Sequence, residues 1–372
     1  MYKSGLAIQF LLSAALCAVI FSFASPSARG QSSGEQSSSP PASSPAPAPA
    51  ATQNAPASDL HEDWTSIKIK PDELTATVPI LGEKDDVPGT SFIRERYQML
   101  WRSMDPLDVY VVRPRNVEKP PVILYLYSFP QDTDRFKDDR WCATVTSNGY
   151  AAIGFVSHLT GHRVHDRPVK EWFVSELQES LVDSTHDVQM VLNYVDTRPD
   201  LDSSRIGMFG VGSGGSIAIL AAAADPRIKV INVLSPWGDW PDWLAKSSIV
   251  PKEERAAYLT PEFLAKVAPF DPMVWFPKLS NTRVRIQNVR NVSSVPDECQ
   301  IKIEEAAPSQ AVVDQFQNGR AFVPVSAGGK VFDWIKEQLQ TAPTPAIAGY
   351  KPGVHYYSAQ DTNSLPALPT TN

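Results

Sequence analysis

The sequence predicts an α/β protein, with strands and helices alternating around a mostly parallel sheet covered on both faces. Three stretches carry that prediction. Pro121-Val-Ile-Leu-Tyr-Leu-Tyr127 is a near-continuous apolar run of strand length, as expected for a strand buried on both sides. Residues 175–195 place Leu177, Leu181, Val188, Val191, Leu192 and Val195 on one side of a long helix. Residues 205–229 read as a buried strand (Ile206 to Phe209), a turn with Gly210, Gly212, Gly214 and Gly215, and an Ala-rich helix closed by Asp225-Pro226. So sharp a turn uses glycine because some positions need positive φ and others bring two backbones together.

The other elements follow in chain order. Residues 64–81 alternate weakly, as an N-terminal strand pair would, and strands are expected at 92–101 and 107–112, the second ended by Arg113-Pro114. A helix at 140–148 stops at Gly149 and leads into a strand at 150–156. After the central strand, turn and helix come a strand at 230–234 and a Trp- and Pro-rich, mostly helical stretch at 236–279. A strand at 283–289, a helix at 308–317, a strand at 321–325 and a helix at 331–339 complete the reading, with no internal repeat.

Both ends of the chain differ from this middle. Lys3 is followed by an almost wholly apolar run from 6 to 24, and Ser22-Phe23-Ala24 offers small residues at both recognition positions of a cleavage site. Residues 1–24 therefore read as a secretory signal peptide, with an uncleaved anchor as the alternative, and the chain as exported to a periplasm or the outside. Residues 25–59, nearly all Ser, Pro, Ala and Gln, cannot bury enough apolar surface to fold and read as a disordered tether. Residues 341–372 form a similar tail in which Tyr350, Tyr356 and Tyr357 could pack back. No other stretch is apolar and long enough to span a membrane. The folded domain is thus expected at 60–340. Its net charge of −7 argues against nucleic acid and leaves small molecules or proteins as partners. Cys142 and Cys299, the two cysteines left after processing, could form a disulfide in an oxidising compartment.

The run Asp187…Tyr194-Val195…Arg198-Pro-Asp-Leu-Asp202-Ser-Ser-Arg-Ile-Gly207, the Gly-rich turn and Ala222-Ala-Ala-Asp-Pro-Arg-Ile-Lys229 resemble the middle of an α/β hydrolase. They are most similar to the dienelactone hydrolase, acetyl-xylan esterase and prolyl-oligopeptidase branches, over residues 90–340 in element order. The resemblance implies an α/β-hydrolase fold with an eight-stranded sheet and a small helical cap at 236–279. It also implies that Cys142 and Cys299 lie on helices on the same face of the sheet. The Gly-rich turn becomes the nucleophile elbow, which in this superfamily holds a serine at the carboxyl edge of the sheet.

Hydrolysis by these enzymes needs that serine, a histidine to take its proton and an acid to orient the histidine. Related chains commonly read Arg-Ile-Gly-x-x-Gly-x-Ser-x-Gly-Gly here. This chain reads Arg205-Ile-Gly-Met-Phe-Gly210-Val-Gly212-Ser-Gly-Gly215, which puts Gly212 at the nucleophile position. The turn expected to hold the acid, residues 287–296, has no carboxylate before Asp297, and Lys330 stands where the histidine is expected. All three positions depart from the pattern together.

Other chemistries compete for the same residues. Ser213, one residue along, could be a displaced nucleophile with Lys330 as its base, and Ser216 fits a loose Gly-x-Ser-x-Ala; either serine could instead bond to the helix backbone. His355 could serve as base only if the tail folds over the site. Gly210, Gly212 and Gly215 match a dinucleotide fingerprint, but the acidic residue expected after the next strand is absent at Val233-Leu234-Ser235. Backbone N–H groups at such a helix start could also hold an anion. His158, His162 and His165 have metal-like spacing behind a strand, or form an ordinary polar loop. Trp237, Trp240 and Trp243 could line a cleft for an apolar or sugar-like ligand, or pack the cap onto the core. The reading that follows is a hydrolase scaffold working as a binding module without cofactor or metal. The alternative is an esterase or peptidase that uses Ser213.

Overall fold

The computed structural model describes residues 62–70, 79–102, 105–128, 133–158, 173–340 and 354–358. The expected signal peptide (1–24), the tether (25–59), His162 and most of the tail lie outside the described residues. The strands are β1 (Ile80–Asp85), β2 (Phe92–Met99), β3 (Leu107–Pro114), β4 (Pro121–Leu126), β5 (Ala151–Phe155), β6 (Asp202–Val211), β7 (Ile228–Leu234), β8 (Arg283–Val289), β9 (Val312–Phe316) and β10 (Val354–Tyr357). They form one sheet in the order β1-β2-β3-β5-β4-β6-β7-β8-β9-β10. From β5 through β10 the neighbours are parallel, and the β1–β2, β2–β3 and β3–β5 pairs are antiparallel.

The eight strands β2 to β9 make up the sheet that the resemblance implied, and β1 and β10 extend it at its edges. Residues 62–69 run irregularly where a strand pair was expected over 64–81, and among the described residues the first strand starts at Ile80; residues 71–78 lie outside them. Two later elements exchange type. Residues 312–316 are a strand rather than a helix, because Val313, Asp314 and Phe316 are buried between β8 and β10. Residues 319–326 are a helix rather than a strand, because the Asn318 side chain caps it by accepting from the Arg320 and Ala321 N–H groups.

The helices are α1 (Asp139–Val145), α2 (Leu177–Thr197), α3 (Ser213–Ala224), α4 (Trp240–Lys246), α5 (Arg255–Tyr258), α6 (Pro261–Val267), α7 (Pro272–Trp275), α8 (Asp297–Ala306), α9 (Gly319–Ser326) and α10 (Asp333–Gln340). Alternation along the strands divides the core. Val122, Leu124 and Leu126 of β4 join a cluster with α2, α3, α8 and the cap, while Ile123 and Tyr125 join one with α1, α9 and α10. Cys299 belongs to the first cluster and Cys142 to the second, so the sheet separates them. Both are buried free thiols, which overturns the expected shared face and the disulfide.

The cap, 236–279, does not stand above the sheet as a separate lid. Trp237, Trp240, Trp243, Leu244, Tyr258, Val267, Phe270 and Phe276 belong to the same core as α2 and α3. The buried Asp271 carboxylate fixes the cap's entry by accepting from the backbone N–H groups of Asp239 (3.1 Å), Trp240 (2.9 Å) and Met273 (3.0 Å).

Candidate functional site at the carboxyl edge

The chain leaves β6 through a turn whose geometry belongs to Gly212. Its φ of 52° and ψ of −117° are a conformation that side chains rarely adopt. Its N–H donates to the Leu234 carbonyl at 2.9 Å, and its carbonyl accepts from the N–H groups of Gly215 (3.0 Å) and Ser216 (3.1 Å). The turn is also crowded. A β-carbon on Gly214 would overlap the Leu126 carbonyl, and one on Gly210 would overlap the Gly214 backbone, so β4, β6 and α3 close up only with glycine at both positions.

The tip of the turn is filled from the neighbouring strand. A β-carbon on Gly212 would overlap the Ser128 hydroxyl and lie 2.8 Å from Ser128 Cβ and 3.1 Å from Trp237 Nε1. Ser128 directly follows β4 and Tyr127, and its Oγ lies 3.4 Å from the Ser213 N–H. In α/β hydrolases the N–H of the residue after the nucleophile is half of the oxyanion hole. Here that N–H faces a side chain of the protein itself. Ser128 was not among the residues singled out from sequence; only its place just after the β4 apolar run could have marked it.

Ser213 is wholly buried in the first turn of α3. Ser216 is also wholly buried, and its Oγ donates to the Trp237 carbonyl at 2.7 Å, the helix-start bonding that competed with a catalytic role. Lys330 is exposed on a 3₁₀ turn before α10. With the last two elements reassigned, the loop matching the superfamily's histidine position follows β9, not the segment at 326–332. That loop is Gln317-Asn318-Gly319-Arg320, in which Asn318 is occupied in capping α9. The Lys330 assignment is therefore corrected: the histidine position carries neither histidine nor lysine.

After β8, residues 290–296 hold no carboxylate. Asp297 opens α8 and accepts from the Asn291 N–H at 3.0 Å. Glu304 of α8 accepts from Arg290 Nη2 (2.9 and 3.0 Å) and from Asn288 of β8 at 2.6 Å. His355 lies on β10 with its Nδ1 2.9 Å from Asp314, at the far edge of the sheet from β6.

The three cap tryptophans are core residues, each no more than 1% exposed. Trp237 and Trp243 have ring centroids 4.6 Å apart, Trp240 meets Trp243 edge-on at 5.7 Å, and Trp243 Nε1 donates to the Ser294 carbonyl. This is the packing alternative, and it leaves them no face for an entering ring. His158 is buried beside β5, and among the described residues no group of three or more histidines, cysteines or carboxylates could hold a metal ion.

His158 instead belongs to a charged cluster that sequence reasoning missed. The Arg102 guanidinium donates to Glu62 (2.6 and 2.7 Å), to Asp187 (2.6 Å) and to the Asp183 carbonyl (2.9 Å), and stacks 3.8 Å over Trp101. His158 Nε2 is 2.9 Å from Asp105, and its Nδ1 is 3.5 Å from Asp183. Burial pushes the Asp183 carboxyl up to about 7, against the opposing pull of Arg102. The available signal was the placement of Asp183, His186 and Asp187 between the apolar positions Leu181, Val182, Val188 and Val191 of one helix.

Comparison with known proteins agrees with this architecture. The family model for X-Pro dipeptidyl-peptidase (S15 family) matches residues 104–265, from just before β3 through most of the cap. Acetyl xylan esterase 1 from Thermoanaerobacterium sp. JW/SL YS485 superposes with a TM-score of 0.54 at 12% identity, covering 74% of this chain and 94% of its own. The fold is that of the α/β hydrolases. Pyrococcus horikoshii acylaminoacyl peptidase is similar to this hydrolase-fold chain with a TM-score of 0.52 at 14% identity, over 72% of this chain and 43% of its own. Putative hydrolase YtaP of Bacillus subtilis (strain 168) is 29% identical over 136 residues, which span 32% of this chain and 45% of that protein. The chain thus matches less than half the length of that curated relative.

Proposed function

We propose that this protein is an exported α/β-hydrolase scaffold that has lost Ser–His–acid hydrolysis and works as a binding or interaction module. One observation carries the reading: at the elbow, Gly212 replaces the nucleophile and the Ser128 hydroxyl fills the space where its side chain would stand. Acyl transfer needs an oxygen nucleophile, a base within hydrogen-bond reach and free donors for the oxyanion. The elbow has no side chain, the loop after β9 has no histidine, and the Ser213 N–H faces Ser128. Burial of Ser213 and exposure of Lys330 weigh against a displaced Ser–Lys pair.

The leader at 1–24 and the Ser/Pro/Ala tether at 25–59 support export, and the net charge of −7 favours a protein or small-molecule partner over nucleic acid. With Trp237, Trp240 and Trp243 in the core, a stacked sugar or apolar ring loses its platform, and an anionic or protein ligand at the carboxyl edge is the better reading.

The test is hydrolysis of short activated acyl esters by wild type, Ser128→Ala and Ser213→Ala. The expected result is the same background rate for all three. Turnover that disappears in Ser213→Ala would make the protein an enzyme with a displaced nucleophile.

A further inference from the structure

The sheet ends on a strand supplied by the tail. Among the described residues β10 pairs with β9 alone, in parallel, with His355 level with Asp314 and Tyr357 level with Phe316. Alternate side chains of β10 are read by β9. The buried Asp314 accepts from Arg285 Nε through Oδ2 at 2.6 Å and turns Oδ1 to His355 Nδ1 at 2.9 Å. The Tyr357 ring lies on Phe316, with centroids 4.7 Å apart and planes 16° from parallel, and the Tyr357 carbonyl accepts from the Gln317 N–H at 3.0 Å. Val354 and Tyr356 are 44% and 74% exposed. The β9 edge thus favours a parallel strand that carries a hydrogen-bond donor and, two residues on, an aromatic ring.

The chain that brings β10 to this edge is longer than the gap it crosses. Helix α10 ends beside the start of β8, where Arg283 Nη1 donates to the Gln338 carbonyl at 2.6 Å. β10 begins two strands further across the sheet, with Val354 level with Val313 and, through it, with Ile286. At ordinary strand spacing and rise the gap is roughly 20 Å. Residues 341–353 reach about 45 Å when extended. The same connector can therefore deliver β10 to its own β9 or to that of a neighbour.

We propose that the β9 edge is a strand-capture site whose partner is a second copy of this chain, with residues 354–357 of one copy docking on the β9 of the other as they dock on their own. The two arrangements make the same contacts and differ in tethering entropy. Their balance is set by chain concentration against the effective concentration of a chain's own tail, on the order of mM. Exchange opens one edge strand and leaves the rest of the sheet paired. This contact lies at the far edge of the sheet from β6 and does not depend on whether the elbow carries chemistry.

Disulfide trapping in mixtures of full-length chains tests the exchange. Gln315 and Tyr356 are register partners, and the native thiols, Cys142 and Cys299, are buried. One chain carries Gln315→Cys and the other Tyr356→Cys, so the two new thiols are held together only when one copy's β10 lies on the other's β9. Mild oxidation is expected to give a dimer joined at 315 and 356 in peptide maps. Its fractional yield should rise about tenfold for a tenfold rise in chain concentration below the mM range. Tyr357→Ala in the Tyr356→Cys chain should lower that yield, because the weakened strand competes with the receiving chain's own. The same change in the Gln315→Cys chain should raise it. The double variant Gln315→Cys/Tyr356→Cys should close within one chain, and its failure to close would remove the register on which the proposal stands. Absence of the joined dimer, or a yield that Tyr357→Ala leaves unchanged in both chains, would overturn the proposal.

Discussion

At the scale of single residues, the elbow and the charged cluster make opposite demands. Gly212 is required for what it lacks. Gly212→Ser would place a side chain at φ 52° and drive it into Ser128, so a stability loss of about 1–3 kcal/mol is expected in urea unfolding. Adding Ser128→Gly should recover part of that loss, because it removes the overlap but not the backbone strain. Arg102 is required for what it holds. Arg102→Met would leave Glu62 and Asp187 buried without their partner, with an expected cost of about 3–5 kcal/mol by the same measurement. The Gly212 substitution was legible in the sequence because the Gly-rich frame around it is unbroken. Ser128 and Arg102 were not, since each acts on residues far along the chain, Ser128 on Ser213 and Arg102 on Glu62 and Asp187, through contacts that only the fold creates.

At the scale of elements, strands β4, β6 and β7 and helices α2 and α3 were readable because their apolar patterns are regular and Gly or Pro follows within a few residues. The end of the domain was misread because Ala321-Phe-Val-Pro-Val325 looks like a strand locally, and Asn318 caps it into a helix. That exchange carried the histidine position from Lys330 to the loop after β9. Helix α2 also carries a pH prediction. Asp183 is raised from 3.8 to about 7, so the folded state holds a proton that the unfolded chain gives up. Its stabilising contribution is full below the ordinary carboxylate range and lost as pH rises to about 7. Glu62 has the opposite sign: lowered from 4.5 to about 2, it stabilises above 4.5, and that contribution is lost as pH falls toward 2. The urea midpoint should therefore fall between pH 5 and pH 8 in wild type and fall less in Asp183→Asn.

At the scale of the whole molecule, the sheet divides the core and keeps Cys142 and Cys299 apart, so both thiols should alkylate on unfolding without a reductant. The same layering draws the cap tryptophans into the core, and the central claim is the proposed loss of hydrolytic chemistry at the carboxyl edge of this hydrolase-like frame. The most direct test of that claim is a fluorophosphonate probe applied to the full chain, followed by peptide mapping. The claim predicts no serine labelled above the level of the heat-denatured protein. A stoichiometric label on Ser213, Ser216 or Ser128 would contradict it and make this protein a hydrolase with a relocated nucleophile.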